Sequence, residues 1–236
     1  MKKRIRFFIV TSAYLLSLTV LLSSIFELQY SIIIGPFLDL LFLSGLIFLC
    51  LIFSIICVFI NGFKKLKSYI PGLTLIFSIL CSIYLPVTDL SHRLHYTLNR
   101  KNLESINTIS QLSKINEMTD LLRYHKSINE QQISNEEKYK TKVEIETVFG
   151  DYLFQNDINI DKVVDLRKRL VRSDIVSLSR SEDYLVLTID GFVDNEYGYV
   201  KSFGKELKIG DYIPPYGFCI VRLYEFRNGW YFYYST

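Results

Sequence analysis

The chain has 236 residues, half of them apolar, a net charge of +3 and a mean hydropathy of +0.22. Residues 89 to 236 hold twenty Lys and Arg against twenty-two Asp and Glu, so the basic excess sits entirely in the first 88 residues. That distribution excludes a nucleic-acid-binding reading for the C-terminal part, whose slight acidity repels phosphates.

Taken in chain order, the N-terminal region contains three uncharged runs: residues 7 to 26, 40 to 60 and 68 to 88. A run of about 18 or more apolar residues covers the ~30 Å hydrocarbon core of a bilayer at 1.5 Å per residue. The pattern predicts three transmembrane helices within residues 1–88. An uncleaved first helix is expected, because its apolar run is long for a signal peptide and no small-x-small cleavage site follows. Lys and Arg favour the cytoplasmic side of a membrane. The N-terminal tail carries Lys2, Lys3, Arg4 and Arg6, and the second loop carries Lys64, Lys65 and Lys67. The first loop carries Glu27 and Asp39 and no base. This asymmetry predicts a cytoplasmic N-terminus, and three spans then leave residues 89–236 outside. None of the runs contains an Asp, Glu, Lys, Arg or His, which argues against ion transport and for an anchor in the lipid bilayer.

Residues 89 to 130 lack Gly and Pro and read as helix. Their apolar residues recur every third position from Leu103 to Leu121, a period that drifts roughly 60° per step around an α-helix. Two helices are therefore expected, with a break near Asn116 and the second starting near Thr119. Ser134-Asn135-Glu136-Glu137 is a capping-box pattern. Ile145, Leu153 and their neighbours predict a further helix. Asn159 or Asp161 opens an amphipathic one, with Val163, Leu166, Leu170 and Val171 on its apolar side.

After Ser173 the pattern turns to strands. Expected strands cover residues 175 to 179, 184 to 190, 197 to 203, 218 to 227 and 230 to 236. Asn228-Gly229 joins the last two and favours a two-residue type I′ turn. The expected fold is a three-helix membrane anchor followed by an extracytoplasmic α+β domain, helical over 89–172 and β-rich over 173–236. An antiparallel meander of about five strands is expected there.

Few residues point to chemistry. His92 and His95 stand at i and i+3 on a helix without a matched carboxylate, and read as a polar collar at the membrane surface. The acidic run from Asp190 to Glu196 lacks the ligand spacing of an EF-hand and reads as a tight inter-strand connection. No Walker loop, nucleophile elbow, zinc-protease helix or dinucleotide fingerprint is present. Cys50, Cys57 and Cys81 fall within expected spans and Cys219 stands alone, so neither a disulfide nor a zinc site is expected. No cofactor or metal is implied.

The distinctive feature is aromatic. A two-residue turn at Asn228-Gly229 pairs Tyr224 with Tyr233 and Phe226 with Tyr231, placing these four side chains on one face. The opposite face is also apolar. An antiparallel sheet usually solvates one face, so a Tyr-rich face is either core or a partner-binding surface. Tyr224, Phe226, Tyr231 and Tyr233 are the candidate binding residues.

These features predict a non-enzymatic protein-interaction module of a bacterial-type inner membrane, its partner another protein. Over the first 90 residues the expected topology resembles that of some immunity proteins against pore-forming bacteriocins, which have three short spans and an inside N-terminus. The resemblance implies immunity against an envelope-acting toxin. The alternatives are an envelope assembly or sensing component and an extracytoplasmic hydrolase.

Overall fold

A computed structural model describes residues 2–34, 36–84, 88–113, 115, 117–119, 142–155, 157–192, 195–213 and 217–236. The expected capping box at Ser134 and the acid Asp194 lie outside the described residues. The chain divides into two compact units, Met1–His95 and Tyr96–Thr236.

The first unit is helical. It contains α1 (Lys2–Ile25), α2 (Glu27–Ile34), α3 (Pro36–Asn61) and α4 (Ile70–Tyr84), and the start of α5 (Leu90–Ser113). Two of these helices, over Arg4–Ile25 and Leu41–Asn61, are long and apolar enough to cross a membrane. The third expected span is seen in part: among the described residues it is a 15-residue apolar helix, Ile70–Tyr84, ~22 Å long. Its N-terminal side is shortened because residues Leu66–Ser68 form a single 3-10 turn instead of α-helix.

Packing in this unit inverts the pattern of a water-soluble bundle. On α1 the buried stripe is Ala13, Ser17, Val20 and Ser24, whereas Phe7, Leu15, Leu18 and Leu22 are exposed. The helices meet through small polar groups. Ser17 Oγ lies 3.1 Å from Cys50 Sγ of α3, and Ser78 Oγ of α4 donates to the Ser17 carbonyl at 3.0 Å. Ser24 and Ser82 hydroxyls are also hydrogen-bonded. Small residues let backbones approach closely, and Ser17, Ser24, Ser78 and Ser82 each donate to a carbonyl one turn back, as Ser17 does to Ala13 at 2.9 Å.

The second unit is α+β. Its part of α5 buries Leu103, Ile106 and Ile109, and the next residue of the period-three run, Leu112, is 68% exposed. The drift has carried it off the face. The helix then stops at Ser113, and the chain enters the short strand β1 (Glu117–Thr119) at the place where the period-three reading puts the start of a second helix. Met118 is buried and pairs with Leu178, so Glu117–Thr119 add an edge strand to the sheet, and the rest of the expected second helix lies outside the described residues. The helices α6 (Lys142–Gln155) and α7 (Ile160–Arg172) follow. Asn159 caps α7, its side-chain oxygen accepting from the Asp161 N–H at 2.8 Å.

The remaining strands are β2 (Ser177–Arg180), β3 (Tyr184–Phe192), β4 (Asn195–Ser202), β5 (Tyr212–Ile213), β6 (Phe218–Glu225) and β7 (Trp230–Ser235). All pairs are antiparallel, in the order β1-β2-β3-β4-β7-β6-β5. Six strands form the main sheet, and the two-residue β5 lies on its outer edge. The expected meander holds from β2 to β4 and again in the β6–β7 hairpin, and fails between β4 and β6. From β4 the chain crosses to the far edge and returns through β6 to β7, which pairs with β4. This is a Greek-key arrangement. The order follows from burial: β7 is the most apolar strand, with Trp230 through Tyr233 all buried, and a central place covers both its faces.

The two sheet faces are covered differently. On one, α5 packs over Tyr199, Phe226 and Trp230, with Tyr96 stacked on Phe226 at 4.4 Å. On the other, Tyr184, Val186, Val200, Ile220, Tyr231 and Tyr233 form a core with Leu207 and Ile213, which come from the β4–β6 connection.

Candidate functional site

The final hairpin decides which aromatics share a face, and here the structure corrects the expected register. Asn228 and Gly229 both have positive φ, 61° and 73°, and the Trp230 N–H reaches the Arg227 carbonyl at 3.4 Å. The expected turn is thus present. However, the Phe226 N–H, rather than that of Arg227, donates to the Trp230 carbonyl, at 2.8 Å. Arg227 is bulged out, and the pairs become Leu223 with Tyr233, Tyr224 with Phe232, and Glu225 with Tyr231. A one-residue slip moves every side chain of a strand to the other face.

The four candidate residues are therefore not brought together. Tyr231 and Tyr233 lie in the core beside Ile220, 7% and 1% exposed. Phe226 lies on the opposite face against Tyr96. Tyr224 is on that face too, 6.3 Å from Tyr234.

What the sheet does bring together is a different set. Three successive rungs run along the α5-side face toward the outer edge. The first holds Tyr199, Phe232 and Tyr224; the second holds Tyr197, Tyr234 and Arg222. The third sets Tyr212 beside Cys219, whose backbone pairs with Thr236 through two hydrogen bonds of 3.0 Å. Burial falls along the series. Tyr199 and Phe232 are fully buried, Tyr197, Tyr224 and Tyr234 are half-buried, and Arg222 and Tyr212 are exposed. Tyr197 stacks on Tyr234 at 5.6 Å. A graded aromatic end with a neighbouring Arg combines rigid apolar area with polar tips, the composition favoured in protein interfaces.

The polar side chains elsewhere in this unit are used to hold it together. Glu104 of α5 accepts hydrogen bonds from Lys201 Nζ at 2.7 Å and Trp230 Nε1 at 3.0 Å. Partial burial pushes its carboxyl up, but those hydrogen bonds and the charges of Lys201 and Arg100 outweigh it and hold the group below the ordinary carboxylate range. Lys201 also sits 5.1 Å over the Trp230 ring. Arg180 donates to the Asn107 carbonyl, the Asn107 side chain and Ser110 Oγ at 3.0 to 3.2 Å. Both groups tie α5 to the sheet.

Of the histidines in the first unit, His92 and His95 are both buried. Burial pulls the His95 imidazole down to about 4, so it is neutral near pH 7. Asp190 of the acidic run accepts the Gly191 N–H at 2.7 Å, a local backbone role. Among the described residues no group of three or more His, Cys, Asp and Glu side chains is placed to hold a metal ion.

Sequence reading missed one buried polar rung. Glu196 is 4% exposed, with its Oε2 3.4 Å from Thr188 Oγ1, and Thr188 also meets the Tyr233 hydroxyl at 3.3 Å. The alternation of Glu196, Gly198 and Val200 places Glu196 on the core face and was the available signal.

The site and fold together define a helical, apolar N-terminal unit joined to an α+β unit with an aromatic edge. No family model matches this chain, and no curated protein or solved structure shows significant similarity to it.

Proposed function

We propose that the chain is a membrane-anchored, non-enzymatic protein-interaction module. In this reading α1 and α3 span the bilayer and α4, with its flanking residues, forms a third span. The N-terminus lies in the cytoplasm, and the α+β unit projects into the periplasm or beyond the surface of a bacterial plasma membrane. The inverted packing of the first unit and the basic residues at one side of its helices support that placement. The observation that carries the binding role is the graded end formed by Tyr197, Tyr224, Tyr234, Arg222 and Tyr212. The polar networks around it are consumed in structure. The narrower form of the proposal is immunity against an envelope-acting toxin, held on the membrane where the toxin arrives. The alternative is an envelope assembly or sensing component using the same surface.

Two experiments test this. A photo-crosslinking phenylalanine analogue at Tyr212 should give a discrete adduct with one protein in intact cells. The same analogue at Glu182, exposed in the β2–β3 hairpin, should give none, and Arg222→Glu should abolish the Tyr212 adduct. Equal labelling from both positions would remove the assigned surface. For topology, Ser181→Cys in a Cys219→Ser background should react with an impermeant maleimide on intact spheroplasts. Reaction only after lysis would reverse the orientation.

A further inference from the structure

The first unit carries a groove that anchoring alone does not require. Arg6, Phe7, Val10 and Tyr14 of α1, Asn61 at the end of α3, Lys67 of the 3-10 turn and Ile70 at the start of α4 line a space of about 410 Å³. Arg6, Val10 and Tyr14 follow at i, i+4 and i+8, so they form one stripe along α1, about 12 Å long. The groove is therefore polarised. Two cations and an amide stand at its outer end, and an aromatic and aliphatic track runs from there along the helix.

The seven basic residues of the first 88 are Lys2, Lys3, Arg4, Arg6, Lys64, Lys65 and Lys67. Among the described side chains, the basic residues lining the groove are Arg6 and Lys67, with no Asp or Glu in that lining. A guanidinium and an ammonium facing one space suit a phosphate, with Arg offering two parallel donors and Lys a point charge. The apolar track suits an acyl chain. The space is far larger than one bare ion needs. Its position at the basic ends of the membrane-length helices is the level of lipid headgroups.

We propose that this groove binds a single anionic phospholipid of the leaflet at the N-terminal side. The phosphate sits between Arg6 and Lys67 with Asn61 beside it, and an acyl chain lies along Phe7, Val10 and Tyr14. The proposal rests on the membrane reading above. It adds a ligand that fixes the ends of α1, α3 and α4 against one another, and it makes the anchor dependent on lipid composition.

The test uses the full chain purified in a non-ionic detergent and supplied with phosphatidylglycerol or phosphatidylcholine. Native mass spectrometry counts the lipid retained. The wild type should retain one phosphatidylglycerol with a preference of about tenfold or more over phosphatidylcholine, the order expected from two basic side chains at a headgroup. Arg6→Gln with Lys67→Gln should lose that preference. Lys64→Gln with Lys65→Gln removes the same charge from the same end of the helices outside the groove and should keep it. Equal loss in both double variants would show diffuse attraction and overturn the site. Displacement of the lipid by millimolar inorganic phosphate would overturn it in favour of a free-anion site. Alkaline carbonate extraction of membranes separates this from the parent reading. Release of the wild type into the wash sinks both, whereas retention without lipid preference sinks the groove alone.

Discussion

Replacing Tyr231 and Tyr233 together by Ser is expected to unfold the α+β unit. Both side chains lie in the core that Val186, Val200, Ile220, Leu207 and Ile213 complete, and Tyr233 is 1% exposed. Truncating a buried aromatic costs roughly 3–5 kcal/mol, because transfer energy is lost and a cavity remains. A domain of this size is stable by only about 5–15 kcal/mol. Loss of the Tyr233 hydroxyl also removes a partner of Thr188, beside the buried Glu196 carboxylate. The chain supplies its own probe, since its one tryptophan, Trp230, is fully buried in the same strand. Its emission in the full-length protein should be that of a solvent-exposed indole in the double variant and of a buried one in the wild type. Tyr224→Ser is the contrast. That side chain is half-buried on the other face, so the Trp230 emission should remain native and only the thermal midpoint should fall modestly. A native Trp230 signal in the Tyr231/Tyr233 variant would mean that these two residues are surface, as a binding role for them requires.

The contrast between those tyrosines also shows what was legible in the chain and what was not. Composition alone marked the apolar helices, because charge-free runs of membrane length rarely form the core helices of a water-soluble fold. Alternation and turn residues marked β2, β3, β4, β6 and β7, but not the short edge strands β1 and β5. The Asn159 cap and the drift of Leu112 off its helix face were local matters and followed from local rules. Register was not local. Asn228-Gly229 correctly announced a turn with two positive φ angles, but the turn dipeptide alone does not set whether Arg227 joins the ladder. That bulge reassigned Tyr224 and Phe226 to the other face and dispersed the expected site. The Greek-key order was hidden for the same reason. Nothing in the β4–β5 connection says which edge the chain will join, and the preference of β7 for the centre emerges only when both its faces are weighed against the other strands. The third apolar run shows the limit of composition. Its residues met the length rule, while the turn at Leu66–Ser68 puts the start of the described helix at Ile70.

Among the described glycines, Gly198→Ala is expected to be the most damaging. An ideal Cβ at this position would overlap the Leu187 carbonyl oxygen and lie 2.9 Å from Thr188 Cα and 3.0 Å from Ile189 N. All three are backbone atoms of β3, so no side-chain rotation relieves the overlap. The cause is the irregularity opposite. Thr188 pairs with Gly198 and Asp190 with Tyr197, leaving Ile189 as an extra residue that pushes the β3 backbone toward β4. Such a bulge sharpens the local twist, and only a residue without Cβ admits the partner strand so closely. Relief requires β3 and β4 to separate, which breaks ladder hydrogen bonds at the middle of the sheet and disturbs the buried contact of Thr188 with Glu196. Overpacking costs about 1–3 kcal/mol where side chains can yield and more where backbone must move. The expected result is a loss of at least about 3 kcal/mol, read as a large drop in the denaturant midpoint of Trp230 fluorescence. Gly150→Ala provides the opposite sign. This glycine lies inside α6, its nearest neighbour for a new Cβ is Glu146 Cγ at 3.7 Å, and nothing else approaches within 4 Å. Helix propensity then favours the alanine by about 1 kcal/mol, so the midpoint should rise. If Gly198→Ala instead unfolded at the wild-type midpoint, the close approach of β3 to β4 would be wrong, and with it the register that places Glu196 in the core and Tyr197 on the α5-side face.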